Sequence, residues 1–303
     1  MTPTELAELV ATHLWATLFI ITSVLVMLAW ACWYGLQRWG GRFVALGRDW
    51  VGRIGVHASR LPTPAVVSNA WAIARRLGIQ ALMSAAFAVV ASVMFFEIAD
   101  EIGADEDLGQ FDTALSVALD RHASDEQLQT FAIVTHLGDK AFLIPLVAVV
   151  ALLLLWRRRV FTAAAWVVAC ALGGLLNVAL KAIFERSRPE FMHTFATADG
   201  WSFPSGHSSG AIIVYGLLGY LAVLHTPKSI HIPTAAIAMT LVVCVGFSRV
   251  ILQVHYFSDV LAGYAFGASW VAAWVAGLEV LRRAERYNLR STSNPVARSA
   301  IRS

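Results

Sequence analysis

Seven long apolar blocks dominate the pattern of hydrophobic and polar positions along this chain. A transmembrane helix needs about 20 mostly apolar residues, so each block is predicted to cross a membrane, although the third and sixth are short. Only three arginines separate the third block from the fourth, which predicts a helical hairpin with a tight charged turn. The predicted spans are residues 14–35, 79–98, 141–156, 160–180, 208–224, 234–247 and 260–281.

The composition supports this interpretation. Of the 303 residues, 58% are hydrophobic and 14% are charged, and the mean hydropathy is +0.64, whereas soluble domains contain about a quarter charged residues. The net charge of +3 gives no indication of a nucleic-acid partner. The acidic residues Glu5 and Glu8 precede the first block, so it is predicted to be a retained helix and not a cleaved signal peptide. The predicted fold class is therefore an all-α polytopic membrane protein.

Basic residues are concentrated in segments that a seven-span topology places on one side of the membrane. Arginines outnumber acids between spans one and two, between spans three and four and after span seven, and Lys228 follows span five. The positive-inside rule assigns these segments to the cytoplasm, so the N-terminus is predicted outside and the C-terminus in the cytoplasm. On the opposite, acidic side, helical spacing over 111–119 and 128–137 predicts short interfacial helices, and 43–54 gives a similar prediction on the basic side.

Three polar clusters lie at the ends of spans on the acidic side. They extend from Lys181 to Pro189, from Trp201 to His207 and from Ser248 to Asp259. Lys181, Arg188 and Arg249 supply three cations, and a guanidinium can bind phosphate oxygens with two parallel hydrogen bonds. Ser205 and Gly206 open the fifth span, where free backbone N–H groups and the positive end of the helix dipole favour an anion.

The same clusters contain groups that can transfer a phosphoryl group and a proton. His255 and Asp259 are four residues apart, which predicts that they share one helical face. The carboxylate would then hold one imidazole nitrogen and leave the other nucleophilic. His207 is available as the acid that protonates a departing alkoxide.

These clusters resemble the three signature motifs of the type 2 phosphatidic acid phosphatase (PAP2) family, whose pocket is shared with vanadium-dependent haloperoxidases. The first family motif, a Lys followed after six residues by Arg-Pro, matches Lys181 to Pro189. The second, Pro-Ser-Gly-His, matches residues 204–207. The third, Ser-Arg, five residues, His, three residues, Asp, matches residues 248–259. The chain departs from the family pattern at no motif position.

The resemblance implies a six-helix phosphatase core at residues 79–281. An extra N-terminal transmembrane helix at 1–36 and a basic cytoplasmic linker at 37–78 precede it, and a basic cytoplasmic tail follows at 282–303. His255 would attack phosphorus and form a phosphohistidine, Asp259 would orient it, and His207 would protonate the leaving alcohol. The residues implied to bind phosphate are Lys181, Arg188, Ser205, Gly206 and Arg249. The resemblance implies no metal or other cofactor.

The expected function is that of a metal-independent lipid phosphatase at the outer face of a bacterial inner membrane. Undecaprenyl pyrophosphate, phosphatidate and phosphatidylglycerol phosphate are the expected substrates, and the bilayer is the expected environment. A lipid phosphotransferase and an anion transporter remain open as other functions, as does the oligomeric state. Arg186 is assigned to the membrane interface as a snorkelling charge, and His122, His136 and His193 are assigned to the surface.

Overall fold

The computed structural model describes residues 2–28, 30–31, 34, 38, 79–103, 105–190, 196 and 198–293. Every regular element within these residues is a helix, which confirms the all-α prediction. The helices are α1 Pro3–Thr12, α2 Leu14–Leu28, α3 Ile79–Asp100, α4 Asp107–His122, α5 Asp125–Val134, α6 Lys140–Trp156, α7 Val160–Phe184, α8 Gly206–His225, α9 His231–Ile251 and α10 Phe257–Ser293, with 3-10 turns at Thr135–Gly138 and Lys228–Ile230.

Six helical segments are long and apolar enough to cross a membrane, and they correspond to predicted spans two to seven. At most 39% of the apolar window of any one of them is buried inside the protein, so most residues of each window are at least partly exposed, as expected for helices surrounded by lipid. The polytopic prediction is therefore confirmed. The segments are Ala81–Asp100, Asp125–Trp156, Val160–Phe184, Gly206–His225, Lys228–Ile251 and Phe257–Ala284.

The N-terminal segment differs from its prediction of one helix over 14–35. The separate helix α1 precedes α2, and the two meet at 99°. Thr2 caps α1: its hydroxyl accepts the N–H of Glu5, the Glu5 carboxylate accepts the N–H of Thr2, and Pro3 occupies the first helical position. This capping box is a sequence-level sign of a helix start. If α1 and α2 count as one bent span, the described residues contain seven.

The two helices predicted on the acidic side are present, but one is not separate. Residues 111–119 lie within α4. Residues 128–137 lie in α5 and the following 3-10 turn, which continue into α6 as one run, Asp125–Trp156. The helix predicted over 43–54 and most of the predicted linker at 37–78 lie outside the described residues.

Helix α1 packs against α4. Ala7 and Ala11 of α1 are buried in one apolar cluster with Leu115 and Leu119 of α4. At the end of α4, Nε2 of His122 lies within hydrogen-bond distance of Oε2 of Glu8, at 2.9 Å. The N-terminal helix therefore contacts α4 through both apolar and polar side chains.

The chain divides into two compact units. The first consists of Met1–Trp30 and Val89–Val271, and the second of Ala31–Ala88 and Ala272–Ser303. In the described part of the chain, the second unit contains the first residues of α3 and the last residues of α10. All eight residues that the sequence assigns to the site lie in the first unit.

Two glycines of α10 allow a close approach to α8. A methyl group at Gly263 would lie 2.7 Å from the carbonyl oxygen of Ser205, and one at Gly267 would lie 2.8 Å from the side chain of Ile212. Small residues at this four-residue spacing are typical of closely packed membrane helices. The Ser205 N–H donates to the carbonyl oxygen of Asp259 at 2.9 Å. The starts of α8 and α10, which contain parts of the second and third motifs, are thereby joined.

Candidate active site

The first motif spans the end of α7 and the chain after it. Lys181 lies in the last turn, and Glu185 ends the helix in the left-handed conformation with φ of 46°. The side chains of Lys181 and Arg188 both donate to backbone carbonyls of residues 199–202, over distances of 2.5–3.2 Å. Both cations are therefore held at the loop that leads into the second motif.

The second motif forms the start of α8. Ser205 is the N-cap, and its hydroxyl accepts the N–H of Ser208. Gly206 packs against α7, because a methyl group there would lie 3.2 Å from Oδ1 of Asn177. The imidazole of His207 follows in the first turn, where its Nε2 donates to Oδ1 of Asp139 at 2.5 Å. The backbone N–H groups at this helix start remain suited to an anion.

The third motif spans the end of α9, a short connection and the start of α10. The sequence predicted His255 and Asp259 on one helical face, whereas His255 precedes α10, which begins at Phe257. Their contact nevertheless forms: Nδ1 of His255 donates to Oδ2 of Asp259 at 3.3 Å. The same oxygen accepts the N–H of Tyr256 at 3.0 Å. Asp259 therefore holds both the ring and the backbone of the connection.

The first and third motifs meet at the ring of His255. Nη1 of Arg188 lies 3.4 Å from Nε2 of His255, on the side of the ring opposite to Asp259. His255 is 3% exposed. Burial is the main cause that lowers the pKa of His255, to about 3; the charges of Lys181 and Arg249 act in the same direction, and the Asp259 carboxylate opposes them. The imidazole is therefore neutral at physiological pH and close to three cations.

Two buried donors, one on a residue of the third motif and one on α7, have no hydrogen-bond partner among the described residues. Arg249 donates from Nη1 to the hydroxyl of Thr135 at 2.7 Å, while its Nε has no partner. Nδ2 of Asn177 is likewise unpaired, one turn before Lys181 on α7. A buried donor without a partner is costly, so an anion with several acceptor oxygens would stabilise this arrangement.

Known proteins share both the sequence and the fold of this region. The sequence model of the PAP2 superfamily matches residues 162–283. A crystal structure of a transmembrane PAP2 type phosphatidylglycerolphosphate phosphatase from Bacillus subtilis is similar to this chain, with a TM-score of 0.58 and 30% sequence identity, and the similarity covers 63% of this chain and 94% of that one. This chain belongs to the PAP2 superfamily.

Two curated PAP2 relatives are phosphatases of lipids by name. Phosphatidylglycerophosphatase B of Bacillus subtilis is 36% identical over 140 residues, which cover 44% of this chain and 66% of the relative. Lipid A 1-phosphatase of Rhizobium johnstonii is 36% identical over 104 residues, which cover 31% of this chain and 39% of the relative. The match thus spans less than two thirds of the length of either relative.

One carboxylate beside the PAP2 motifs was not predicted. Asp139 lies outside the matched region 162–283, yet its Oδ1 accepts from His207 and its Oδ2 accepts from Nδ1 of His136 at 2.6 Å. His136 is on the surface, as predicted, with its side chain 73% exposed. The His-x-x-Asp spacing of this pair is the only sequence signal for it, and the acidic side contains many other aspartates. His193, also predicted at the surface, lies outside the described residues.

The interpretation of Arg186 as a snorkelling charge is wrong. Its side chain is only 13% exposed, and it forms ion pairs with Asp112 at 2.9 Å and with Asp259 at 2.7 Å. The guanidinium also lies over the ring of Tyr256, 4.4 Å from its centroid. The sequence position of Arg186 inside the first PAP2 motif gave no sign of these contacts, because Asp112 is far away in the chain.

The described residues contain no group of three or more His, Cys, Asp or Glu side chains that could hold a metal ion. The expectation of a metal-independent reaction comes from the family resemblance and remains a prediction.

Proposed function

We propose that this PAP2 protein is a lipid phosphatase that hydrolyses a phosphorylated membrane lipid through a phosphohistidine on His255. The observation that carries this proposal is the environment of the imidazole. Nδ1 faces the Asp259 carboxylate, and Nε2 faces the Arg188 guanidinium. Because a carboxylate accepts and a guanidinium only donates, the proton belongs on Nδ1 and the lone pair on Nε2. That tautomer is the one a nucleophilic histidine needs.

In the first proposed step, the Nε2 lone pair of His255 forms a bond to phosphorus, and the bond from phosphorus to the lipid oxygen breaks. The departing alkoxide takes a proton from the imidazolium of His207. In the second step, neutral His207 takes a proton from water while the water oxygen bonds to phosphorus. The N–P bond then breaks, its electron pair returns to Nε2, and inorganic phosphate leaves.

The positive charge around His255 supports stabilisation of the transferring group. Lys181, Arg188 and Arg249 would bind its oxygens, and the unpaired Nε of Arg249 is a donor available to one of them. Ser205 and Gly206 add the N–H groups at the start of α8. Donors that are already fixed in a partly buried site stabilise developing charge without reorganisation. We propose that these groups supply the stabilisation without a metal ion.

The relatives and the charge distribution support the substrate class and the membrane face. The relatives are named for phosphatidylglycerophosphate and lipid A 1-phosphate, so we propose a lipid phosphomonoester before a lipid pyrophosphate. The arginine-rich segments lie at the ends of the spans away from the three motifs, and the positive-inside rule favours a cytoplasmic location for those ends. We therefore propose that the lipid is bound at the outer face.

The test is a phosphate-release assay on the purified full chain with His255→Ala and, as the matched control, His225→Ala at the far end of α8. The lipid panel contains phosphatidylglycerol phosphate, phosphatidate, lipid A and undecaprenyl pyrophosphate. Wild type and the control should release orthophosphate, resist EDTA and be inhibited by orthovanadate. His255→Ala should lose at least about 10,000-fold in kcat. Activity of His255→Ala near that of wild type would overturn the proposal.

Two further measurements separate the parts of this proposal. If the phosphoryl group goes to an acceptor other than water, the lipid product forms without a matching amount of orthophosphate. The membrane face is tested with a membrane-impermeant aryl phosphate added to intact spheroplasts and to sealed inverted vesicles. Hydrolysis by spheroplasts is expected, and hydrolysis only by inverted vesicles would contradict the outer location.

A further inference from the structure

Asp112 is a buried carboxylate outside all three PAP2 motifs and outside the matched region 162–283. It lies in α4, and its side chain is 0% exposed. Its Oδ1 accepts the N–H of Ser258 at 3.0 Å, and its Oδ2 accepts the Ser258 hydroxyl and Nη2 of Arg186. Burial raises the pKa of the Asp112 carboxyl, and the hydrogen bond from Ser258 and the charge of Arg186 oppose that rise.

Arg186 connects this carboxylate to the one that faces the proposed nucleophile. Its Nη2 donates to Asp112 at 2.9 Å, and its Nη1 donates to Oδ1 of Asp259 at 2.7 Å. The other oxygen of Asp259 accepts from Nδ1 of His255. A continuous chain of hydrogen bonds therefore extends from Asp112 through Arg186 and Asp259 to His255.

A second contact joins α4 to the connection that contains His255. Ser116, one helical turn after Asp112, donates its hydroxyl hydrogen to Oε1 of Gln253 at 2.8 Å. Asp112 holds Ser258 in the first turn of α10. The same face of α4 thus contacts the chain on both sides of His255, which restricts the position of the connection that carries the ring.

The charges explain why a second carboxylate is needed. Arg186 is always protonated and cannot accept a hydrogen bond, so beside Asp259 it keeps that carboxylate ionised. If Arg186 were paired with Asp259 alone, it would cancel much of the negative charge that the imidazole experiences. Because Asp112 also pairs with Arg186, it neutralises part of the guanidinium charge. The imidazole then experiences more of the negative charge of Asp259. His255 gains positive charge when Nε2 bonds to phosphorus, and a more negative Asp259 stabilises that charge.

We propose that Asp112 is a positioning residue for phosphoryl transfer, acting through Arg186 and Asp259 on the ring of His255. The role depends on the proposed phosphatase activity. It predicts a loss in the rate of transfer with little loss in phosphate binding, because Asp112 touches none of the groups proposed to bind phosphate.

The first test compares Asp112→Asn with Asp120→Asn, an exposed aspartate in the same helix. Asp112→Asn should lower kcat by about 10- to 100-fold and should leave KM and the inhibition constant of orthovanadate within about threefold of wild type. Asp120→Asn should match wild type. Asp112→Asn with the kcat of wild type, or with its loss entirely in KM, would overturn the inference.

The second test distinguishes action through Asp259 from general support of the fold. In an Asp259→Asn background, Asp112→Asn should lower kcat by less than about twofold more, because both changes interrupt one chain of contacts. A structural effect would instead lower kcat by the full 10- to 100-fold in either background, and that result would overturn the inference.

If Asp112→Asn does not fold, as judged by thermal unfolding in detergent, Arg186→Lys takes its place in both tests. Lysine keeps the charge but lacks the planar fork that reaches two carboxylates, so kcat should fall as for Asp112→Asn, and a kcat equal to wild type would overturn the inference. Wild type and His255→Ala are assayed in parallel. Inactive wild type contradicts the proposed function, whereas active wild type with unaffected variants contradicts only the role of Asp112.

Discussion

The candidate active site contains two histidine–aspartate pairs that differ in burial and in the nitrogen they use. His255 is 3% exposed and Asp259 is 0% exposed, and they meet through Nδ1. His207 is 22% exposed and Asp139 is 31% exposed, and they meet through Nε2. The first pair is enclosed by protein, and the second is partly exposed.

The residue that binds the second oxygen of each carboxylate also differs in exposure. The Asp259 carboxylate is bound by Arg186, whose side chain is 13% exposed and whose charge is permanent. The Asp139 carboxylate is bound by His136, whose side chain is 73% exposed. The Asp259 carboxylate is therefore held by a mostly buried, permanent charge, and the Asp139 carboxylate by an exposed imidazole.

This difference is consistent with two distinct chemical tasks. A nucleophile must keep one tautomer and one orientation, and burial with a fixed countercharge provides both. A general acid must give up a proton and recover one within each turnover, which requires access to water. Similar groups in different environments can thus divide the acid–base work of one site. The comparison predicts that changes in the buried pair have larger effects than equivalent changes in the exposed pair.

After the loss expected for His255→Ala, the largest effect is expected for Asp259→Asn. An amide has no charge to stabilise the ring when phosphorus bonds to Nε2, and it can select the wrong imidazole tautomer, so kcat should fall by about 1,000- to 10,000-fold. KM should stay within about threefold of wild type, because the proposed phosphate-binding cations are unchanged. Steady-state kinetics on the best lipid of the panel measures both values, with Asp120→Asn as control. A loss confined to KM would contradict the role of Asp259.

His207→Ala should follow, with a loss in kcat/KM of about 100- to 10,000-fold on a lipid phosphate. The loss should shrink to less than about tenfold on p-nitrophenyl phosphate, whose leaving group departs without a proton. kcat/KM is the appropriate quantity because it reports the steps up to departure of the alcohol and excludes the later attack of water. His225→Ala is the control, and an equal loss on both substrates would exclude His207 as the acid.

Asp139→Asn should have a smaller effect, with kcat lowered by about tenfold. Its oxygens are partly exposed, so water can replace them as partners of His207. His136→Gln should change kcat by about twofold at most, because the imidazole of His136 is mostly in solvent. Parallel assays with Asp259→Asn give the direct comparison of the two pairs. Equal losses for the two aspartate variants would contradict the division of tasks.

Spans two to seven could be derived from the sequence because their signals are local. The eight site residues were selected by local signals as well, and their roles remain predictions. Apolar blocks identify spans wherever lipid surrounds the helix, and the three motifs have fixed spacing within short segments. The helix α1 had a local signal as well, the capping box of Thr2 and Glu5. It was missed because the apolar block begins only at Leu14.

The supporting residues could not be derived because their contacts are distant in the chain. Asp139 reaches His207 across 68 positions, and Asp112 reaches Ser258 across 146. The sequence shows many aspartates on the acidic side and does not indicate which of them tertiary packing buries. Arg186 was misassigned for the same reason, since its ion-pair partners lie 73 and 74 positions away.

The smallest expected effect is the pH dependence of activity, which tests whether burial keeps His255 neutral. Burial disfavours the imidazolium and lowers the pKa of His255 to about 3. The neutral, nucleophilic ring is therefore present above that pH and is lost only as the pH falls through 3. A histidine with the ordinary pKa of about 6.5 would instead lose about 25-fold of its neutral form between pH 7 and pH 5.

The measurement is kcat/KM for p-nitrophenyl phosphate from pH 7 to pH 5, divided by the fraction of substrate present as dianion. This substrate removes the need for a proton from His207, so the profile reports the free enzyme before phosphoryl transfer. The corrected kcat/KM should change by less than about twofold. A fall of about 25-fold would mean that His255 titrates as in water, and burial would then not be what keeps the nucleophile neutral.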